Sequence, residues 1–173
     1  MTFHSLSKLH LLLPAAVAVL SAQARAHVTL PPEGAPAGSF YTAAFHVGHA
    51  CKGSSATTGI VVRLPEGFGF IDAEARPGWT VTTRPGEVSW TAGSAATALP
   101  MGEKTRFVLS GRLPDKPGTL WFKVLQTCDQ GSVDWAEIPE GTGAKPVYPA
   151  ARLEVLPAGT APASEAAVPG HQH

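Results

Sequence analysis

The stretch FYTAAFHV (residues 40–47) decides the fold class. Its alternate residues Tyr41, Ala43, Phe45 and Val47 are apolar or aromatic. Side chains alternate between the two faces of a β-strand, so these four share one face and His46 lies on the other. The pattern therefore predicts a half-buried strand with a packed inner face.

Short segments of the same kind recur on both sides of this stretch, separated by Gly and Pro. No segment has a helical period long enough to require a helix. Strands spaced in this way favour an all-β fold, a single antiparallel β-sandwich spanning residues 27–156. The predicted strands are Phe40–Val47, Gly59–Leu64, Trp79–Thr83, Glu87–Thr91, Thr105–Ser110, Thr119–Gln126, Val133–Ile138 and Arg152–Leu156.

Residues 1–26 have the pattern of a cleavable export signal. Lys8 precedes an apolar run from Leu9 to Leu20, and Ala24-Arg25-Ala26 forms an A-x-A cleavage site. Cleavage after Ala26 predicts a periplasmic or secreted protein that begins at His27. No later apolar run approaches the roughly 20 residues that span a bilayer, so we expect no transmembrane segment in the mature chain.

The charge balance of the mature chain does not point to a nucleic-acid partner. Loss of Lys8 and Arg25 with the signal leaves 11 basic and 13 acidic residues, which does not predict a nucleic-acid surface.

Residues 157–173 are rich in Pro and Ala and end in His171-Gln172-His173. This composition predicts a flexible tail that buries little apolar surface.

Cys51 and Cys128 are the two cysteines of the chain. In an exported protein an even pair of cysteines predicts a disulfide. The alternative is a pair of thiolate metal ligands, but no further cysteine or C-x-x-C spacing supports it.

Motifs of hydrolases and nucleotide-binding enzymes are absent from the sequence. It contains no G-x-S-x-G, H-E-x-x-H, Walker or G-x-G-x-x-G motif. Its acidic residues lie mainly in Pro- and Gly-flanked turns, where no pair stands out as general acid and base. We therefore expect a protein that is not an enzyme.

His27 is the strongest candidate for chemistry. As the first residue of a processed chain it could chelate one metal ion through its α-amine and Nδ1 together, an arrangement called a histidine brace. Nitrogen donors favour Cu(II). The alternatives are cleavage elsewhere, or a His27 that merely happens to come first. His46 is expected to be a surface or packing residue.

The mature chain resembles the YcnI-like family of exported bacterial copper-binding proteins. The resemblance implies a cupredoxin-like β-sandwich in which a single-histidine brace holds Cu(II) and a tryptophan, matched by Trp135, packs against the site. It rests on His27-Val28-Thr29-Leu30, Leu64-Pro65-Glu66-Gly67, Pro77-Gly78-Trp79, Gln126-Thr127-Cys128 with Gly131, and Val133-Asp134-Trp135.

One ligand of that family is not matched here. The family pattern has a glutamate shortly after the Phe40–Val47 strand, where this chain has His49-Ala50-Cys51. We therefore expect His49 to take the place of the carboxylate. Core or interstrand packing is the expected role of the other tryptophans, Trp79, Trp90 and Trp121.

These observations predict an exported Cu(II)-binding protein that buffers, transports or passes on copper. Copper itself and other exported or membrane copper-handling proteins are the candidate partners. An oxidative copper enzyme of the polysaccharide monooxygenase type is one alternative, since such enzymes also begin with a brace histidine. A metal-free structural or adhesion sandwich is the other.

Overall fold

The computed structural model describes residues 27–141, 143 and 145–160. Residues 1–26, which are the predicted signal peptide, lie outside the described residues. Residues 161–173, which include the His171-Gln172-His173 end of the predicted tail, also lie outside them. The predicted β-sandwich is confirmed. Its strands are β1 (Ala35–Pro36), β2 (Phe40–Val47), β3 (Ala56–Arg63), β4 (Gly69–Ala73), β5 (Trp79–Arg84), β6 (Glu87–Ala92), β7 (Leu99–Pro100), β8 (Thr105–Arg112), β9 (Gly118–Cys128), β10 (Ser132–Trp135) and β11 (Ala151–Leu156).

The strands form two sheets. The larger has the order β1-β11-β9-β3-β6-β5, with β10 also paired to β9 and β7 to β3. Strand β9 has eleven residues, so its first half pairs with β11 while its second half pairs with β10. The smaller sheet has the order β2-β8-β4. All pairs are antiparallel except β1 with β11, which is parallel.

Burial along β2 follows the alternation of its sequence. Ala43, Phe45 and Val47 are buried, Tyr41 is partly buried and His46 is exposed. The inner face of β2 packs across the sandwich, where the ring of Phe45 contacts that of Phe122 on β9. Edge-to-face contacts of this kind contribute about 0.5–1.5 kcal/mol beyond the area that they bury.

Two of the remaining tryptophans lie in the core, as expected. Trp79 and Trp90 both pack edge-on against Phe107 of β8. Trp121 is half-buried and lies opposite Arg152 in the β9–β11 pair, which is an interstrand position.

Apart from β2, each predicted strand differs from the prediction by one to three residues at one end or both, and β1, β4 and β7 were not predicted. Strand β4 escaped prediction because Gly67 precedes it, Gly69 begins it and a register shift between Phe70 and Asp72 breaks its alternation. Strand β10 ends at Trp135 instead of continuing to Ile138. The chain turns there, since the Glu137 carboxylate accepts hydrogen bonds from the backbone N–H groups of Val147 and Tyr148.

Across the described residues we find no helix long and apolar enough to cross a membrane.

Candidate metal centre

The segment that begins at His27 is attached to the end of β2. Thr29 and His46 exchange two backbone hydrogen bonds, with N–O distances of 3.3 and 2.8 Å. Val28, between His27 and this bridge, is only 2% exposed and belongs to the core. The two paired segments run in opposite directions, so the residue two positions before Thr29 faces the residue two positions after His46. His27 therefore lies on the side of Gly48, where the turn after β2 begins.

Trp135 lies against His27. The two ring centroids are 5.7 Å apart and the ring planes meet at 60°, an edge-to-face arrangement. Trp135 is 7% exposed and pairs with Val124 in the β9–β10 ladder. On its other side it contacts the exposed ring of Tyr148, at a centroid distance of 5.6 Å. Trp135 therefore separates His27 from the surface loop that contains Tyr148.

Gln126 connects Trp135 to the turn that contains His49. Its Oε1 accepts a hydrogen bond from Trp135 Nε1 at 3.1 Å. Its Nε2 donates to the backbone carbonyl of His49 at 2.6 Å and to Thr57 Oγ1 at 2.7 Å. With 2% exposure, Gln126 is a buried polar group with all these bonds made inside the protein.

The predicted disulfide between Cys51 and Cys128 is confirmed, with the Cα atoms 6.0 Å apart. It joins the His49 turn to the end of β9. This excludes the alternative in which the two cysteines act as thiolate metal ligands.

Asp129, the residue after Cys128, also ties the end of β9 to the segment before β3. Its carboxylate accepts hydrogen bonds from the Ser55 hydroxyl and from the backbone N–H groups of Ser55 and Ala56. These bonds, that of the Ser55 hydroxyl above all, hold the pKa of Asp129 below its usual range. The turns at both ends of the disulfide are thus fixed to each other.

All three histidines of the predicted domain line one cleft of about 620 Å³. His46 is exposed on β2, as expected, and it lines the cleft together with His27 and His49. The six other lining residues were not anticipated as site residues from the sequence: Thr29, Val47, Gly48, Lys104, Thr105 and Arg106.

Gln126 was also missed as a site residue. A signal for it exists in the sequence, because Gln126 continues the buried alternation of Leu120, Phe122 and Val124 on β9. A polar side chain on an inward face needs an internal partner. Lys104 and Arg106 gave no comparable signal, since basic residues on an outer face are ordinary.

A single-histidine brace fits the chemistry of this site. Within the described ranges no group of three or more His, Cys, Asp or Glu side chains is arranged to hold a metal ion. A brace takes both nitrogens from one residue and needs no such group. Nε2 of His27 is buried without a hydrogen-bond partner, so no hydrogen bond at Nε2 holds the imidazole in one tautomer.

Comparison with known protein families identifies one that matches this chain. A family model described as "Domain of unknown function (DUF1775)" matches residues 27–88 and 80–155, and the YcnI-like resemblance corresponds to this family. A comparison with curated proteins found no match.

Two solved structures match the chain. The first is an uncharacterized protein from Nocardia farcinica described as having an immunoglobulin-like fold. It is 30% identical with a TM-score of 0.64, over 75% of this chain and 97% of that one. The second is a type I cohesin–dockerin complex from Clostridium thermocellum, 10% identical with a TM-score of 0.49, over 75% and 98%. By the match of its domain to the family model, the chain belongs to the DUF1775 family.

Proposed function

We propose that this protein is an exported Cu(II)-binding protein whose metal is chelated by the α-amine and Nδ1 of His27. One observation carries the proposal: the ring of His27 lies 5.7 Å from that of the buried Trp135, in a cleft also lined by His46 and His49. The residue that would carry the brace thus has a packed aromatic neighbour and an open side.

The donor set suits Cu(II). Two nitrogens from His27 and a third from His49 form a nitrogen-rich set, and such sets select Cu(II) over most other divalent ions. Cu(I) prefers thiolates and thioethers, but both cysteines are in the disulfide and Met101 is the single methionine after His27. Bound copper would be held here as the oxidised ion.

The role we propose is binding and transfer without a reaction. Trp135 covers one side of His27 and is itself held by Gln126, so it would exclude water from that side of the metal. The open cleft on the other side leaves a route for a donor or acceptor. Periplasmic or secreted copper buffering, trafficking or delivery fits this arrangement.

A titration of two protein forms tests the proposal. One form begins at His27, and the other carries a single extra alanine before it. We expect the first to bind one Cu(II) per chain, with nitrogen hyperfine structure in its electron paramagnetic resonance spectrum. The second should lose most of the affinity because its His27 nitrogen is an amide. Equal titration of the two forms would rule out the brace.

The same preparation tests the enzymatic alternative. Copper-loaded protein is incubated with a reductant, oxygen and polysaccharide, and the soluble products are analysed by mass spectrometry. We expect no oxidised oligosaccharides. Their copper-dependent release would favour the monooxygenase alternative instead.

A further inference from the structure

The cleft beside His27 has an unusual balance of charge. Its lining contains the cationic side chains of Lys104 and Arg106 together with the three histidines, but no Asp or Glu. Glu103, next to Lys104 in sequence, does not line the cleft. A cleft with basic groups and no carboxylate attracts anions.

Arg106 differs from most other arginines of the described chain. Four arginines form ion pairs with carboxylates: Arg63 with Asp134, Arg84 with Glu87, Arg112 with Asp115 and Arg152 with Glu154. Arg76 instead donates to the Thr105 hydroxyl and lies over two aromatic rings. Within the part of the chain that the structure describes, neither Arg106 nor Lys104 has a carboxylate at ion-pair distance. Their charges are therefore available to a ligand.

The β2–β8 register brings these groups to one face. Arg106 and His46 are direct partners in the ladder and both are exposed, so their side chains lie next to each other on the outer face of the small sheet. Lys104 approaches from the end of β8, where its Cγ would lie 3.6 Å from a Cβ placed on Gly48. Such a distance is an ordinary van der Waals contact, so the Lys104 stem lies beside the turn that begins at Gly48.

We infer that this cleft is a binding site for a small oxyanion, a carboxylate or phosphate group, held by Arg106 and Lys104 beside His46. The planar guanidinium of Arg106 can donate two parallel hydrogen bonds to such a group, and the ammonium of Lys104 adds a point charge. A volume of about 620 Å³ is within the usual size of a small-molecule site. The anion site goes beyond the proposed function, because the side chains of Arg106 and Lys104 would bind the anion whether or not copper is present.

The test uses metal-free protein that begins at His27, titrated separately with malonate and with inorganic phosphate. Backbone amide shifts in two-dimensional nuclear magnetic resonance spectra report where each anion binds. We expect saturable shifts at residues 46–49 and 104–106. Tighter binding of malonate would identify a carboxylate as the preferred ligand, and tighter binding of phosphate would identify a phosphate.

Variants then assign the cations. Arg106→Gln and Lys104→Gln should each weaken binding about tenfold, the effect of losing a hydrogen bond to a charged group. Arg106→Lys should recover part of the affinity. Arg84→Gln, an exposed arginine on β5, is the matched control and should bind like the native protein. Unchanged affinity in both cleft variants, or shifts that map elsewhere, would overturn the proposal whether or not the protein binds copper.

Discussion

Trp135 donates from its indole nitrogen to Oε1 of Gln126, and both side chains are more than nine-tenths buried. The Gln126 amide group also bonds the His49 carbonyl and the Thr57 hydroxyl. A single side chain therefore positions the aromatic neighbour of His27 and the turn that contains His49. A buried network of this kind is costly to disrupt, since each group left without a partner has also lost its water.

We predict that Gln126→Leu destabilises the protein by at least about 2 kcal/mol. The substitution leaves the indole N–H, the His49 carbonyl and the Thr57 hydroxyl without this partner, and each such buried group costs about 1–3 kcal/mol. Urea unfolding measures the change. Gln130→Leu, at an exposed position nearby, should stay within about 0.5 kcal/mol of the native protein. Equal effects of the two substitutions would contradict the network.

Trp135→Phe should keep one bound Cu(II) per chain but change the spectrum of the site. Phenylalanine retains a ring beside His27, while it loses the hydrogen bond to Gln126 and part of the covering surface. Electron paramagnetic resonance and the rate of reduction by ascorbate provide the measurements. Trp121→Phe, at a half-buried interstrand position, is the control and should match the native spectrum. A native spectrum and reduction rate for Trp135→Phe would show that the ring has no influence on the metal.

His49→Ala should weaken copper binding and remove one nitrogen from the hyperfine pattern, whereas His46→Ala should do neither. The reason is that the Gln126 bond and the disulfide fix the His49 turn at the cleft that His27 also lines, while His46 projects from the outer face of β2. Copper titration followed by electron paramagnetic resonance distinguishes the two. If His46→Ala disrupts the site and His49→Ala leaves it intact, His46 is the third ligand.

Replacing both cysteines with alanine should destabilise the protein by about 2–5 kcal/mol. The bond between Cys51 and Cys128 restrains a long loop of the unfolded chain and also fixes the turn before β3. Urea unfolding in the presence of a reductant should bring the native protein close to the double variant. Native material that reacts with an alkylating agent before reduction would contradict an intact disulfide.

The sequence was sufficient for the scaffold where alternation was strong. Strand β2 has the predicted bounds because its inner residues alternate without interruption, and the disulfide followed from two cysteines in a chain predicted to be exported. Strand β4 could not be predicted, since its register shift breaks the two-residue period. Such a shift depends on the neighbouring strand, which local sequence does not specify.

The cleft was predictable only in part. His27 and His49 could be named from the sequence, but the proximity of Arg106 to His46 depends on the pairing of β2 with β8. Which distant strands pair with each other depends on the packing of the whole sandwich. No local sequence pattern therefore indicates that Arg106 and His46 line the same cleft. The same holds for Gln126, whose partners come from β10, from β3 and from the His49 turn.

Val28 is buried in the core, and the residue before it, His27, lines the cleft. Scaffold and site thus meet at one peptide bond. Chains that begin at His27 and chains that carry one extra residue before it should melt at the same temperature and give the same circular dichroism, because both keep His27 and the core begins after that bond. Uniform folding would consequently be no measure of the metal binding that we propose, and samples need to be compared by the mass of their N-terminal peptide.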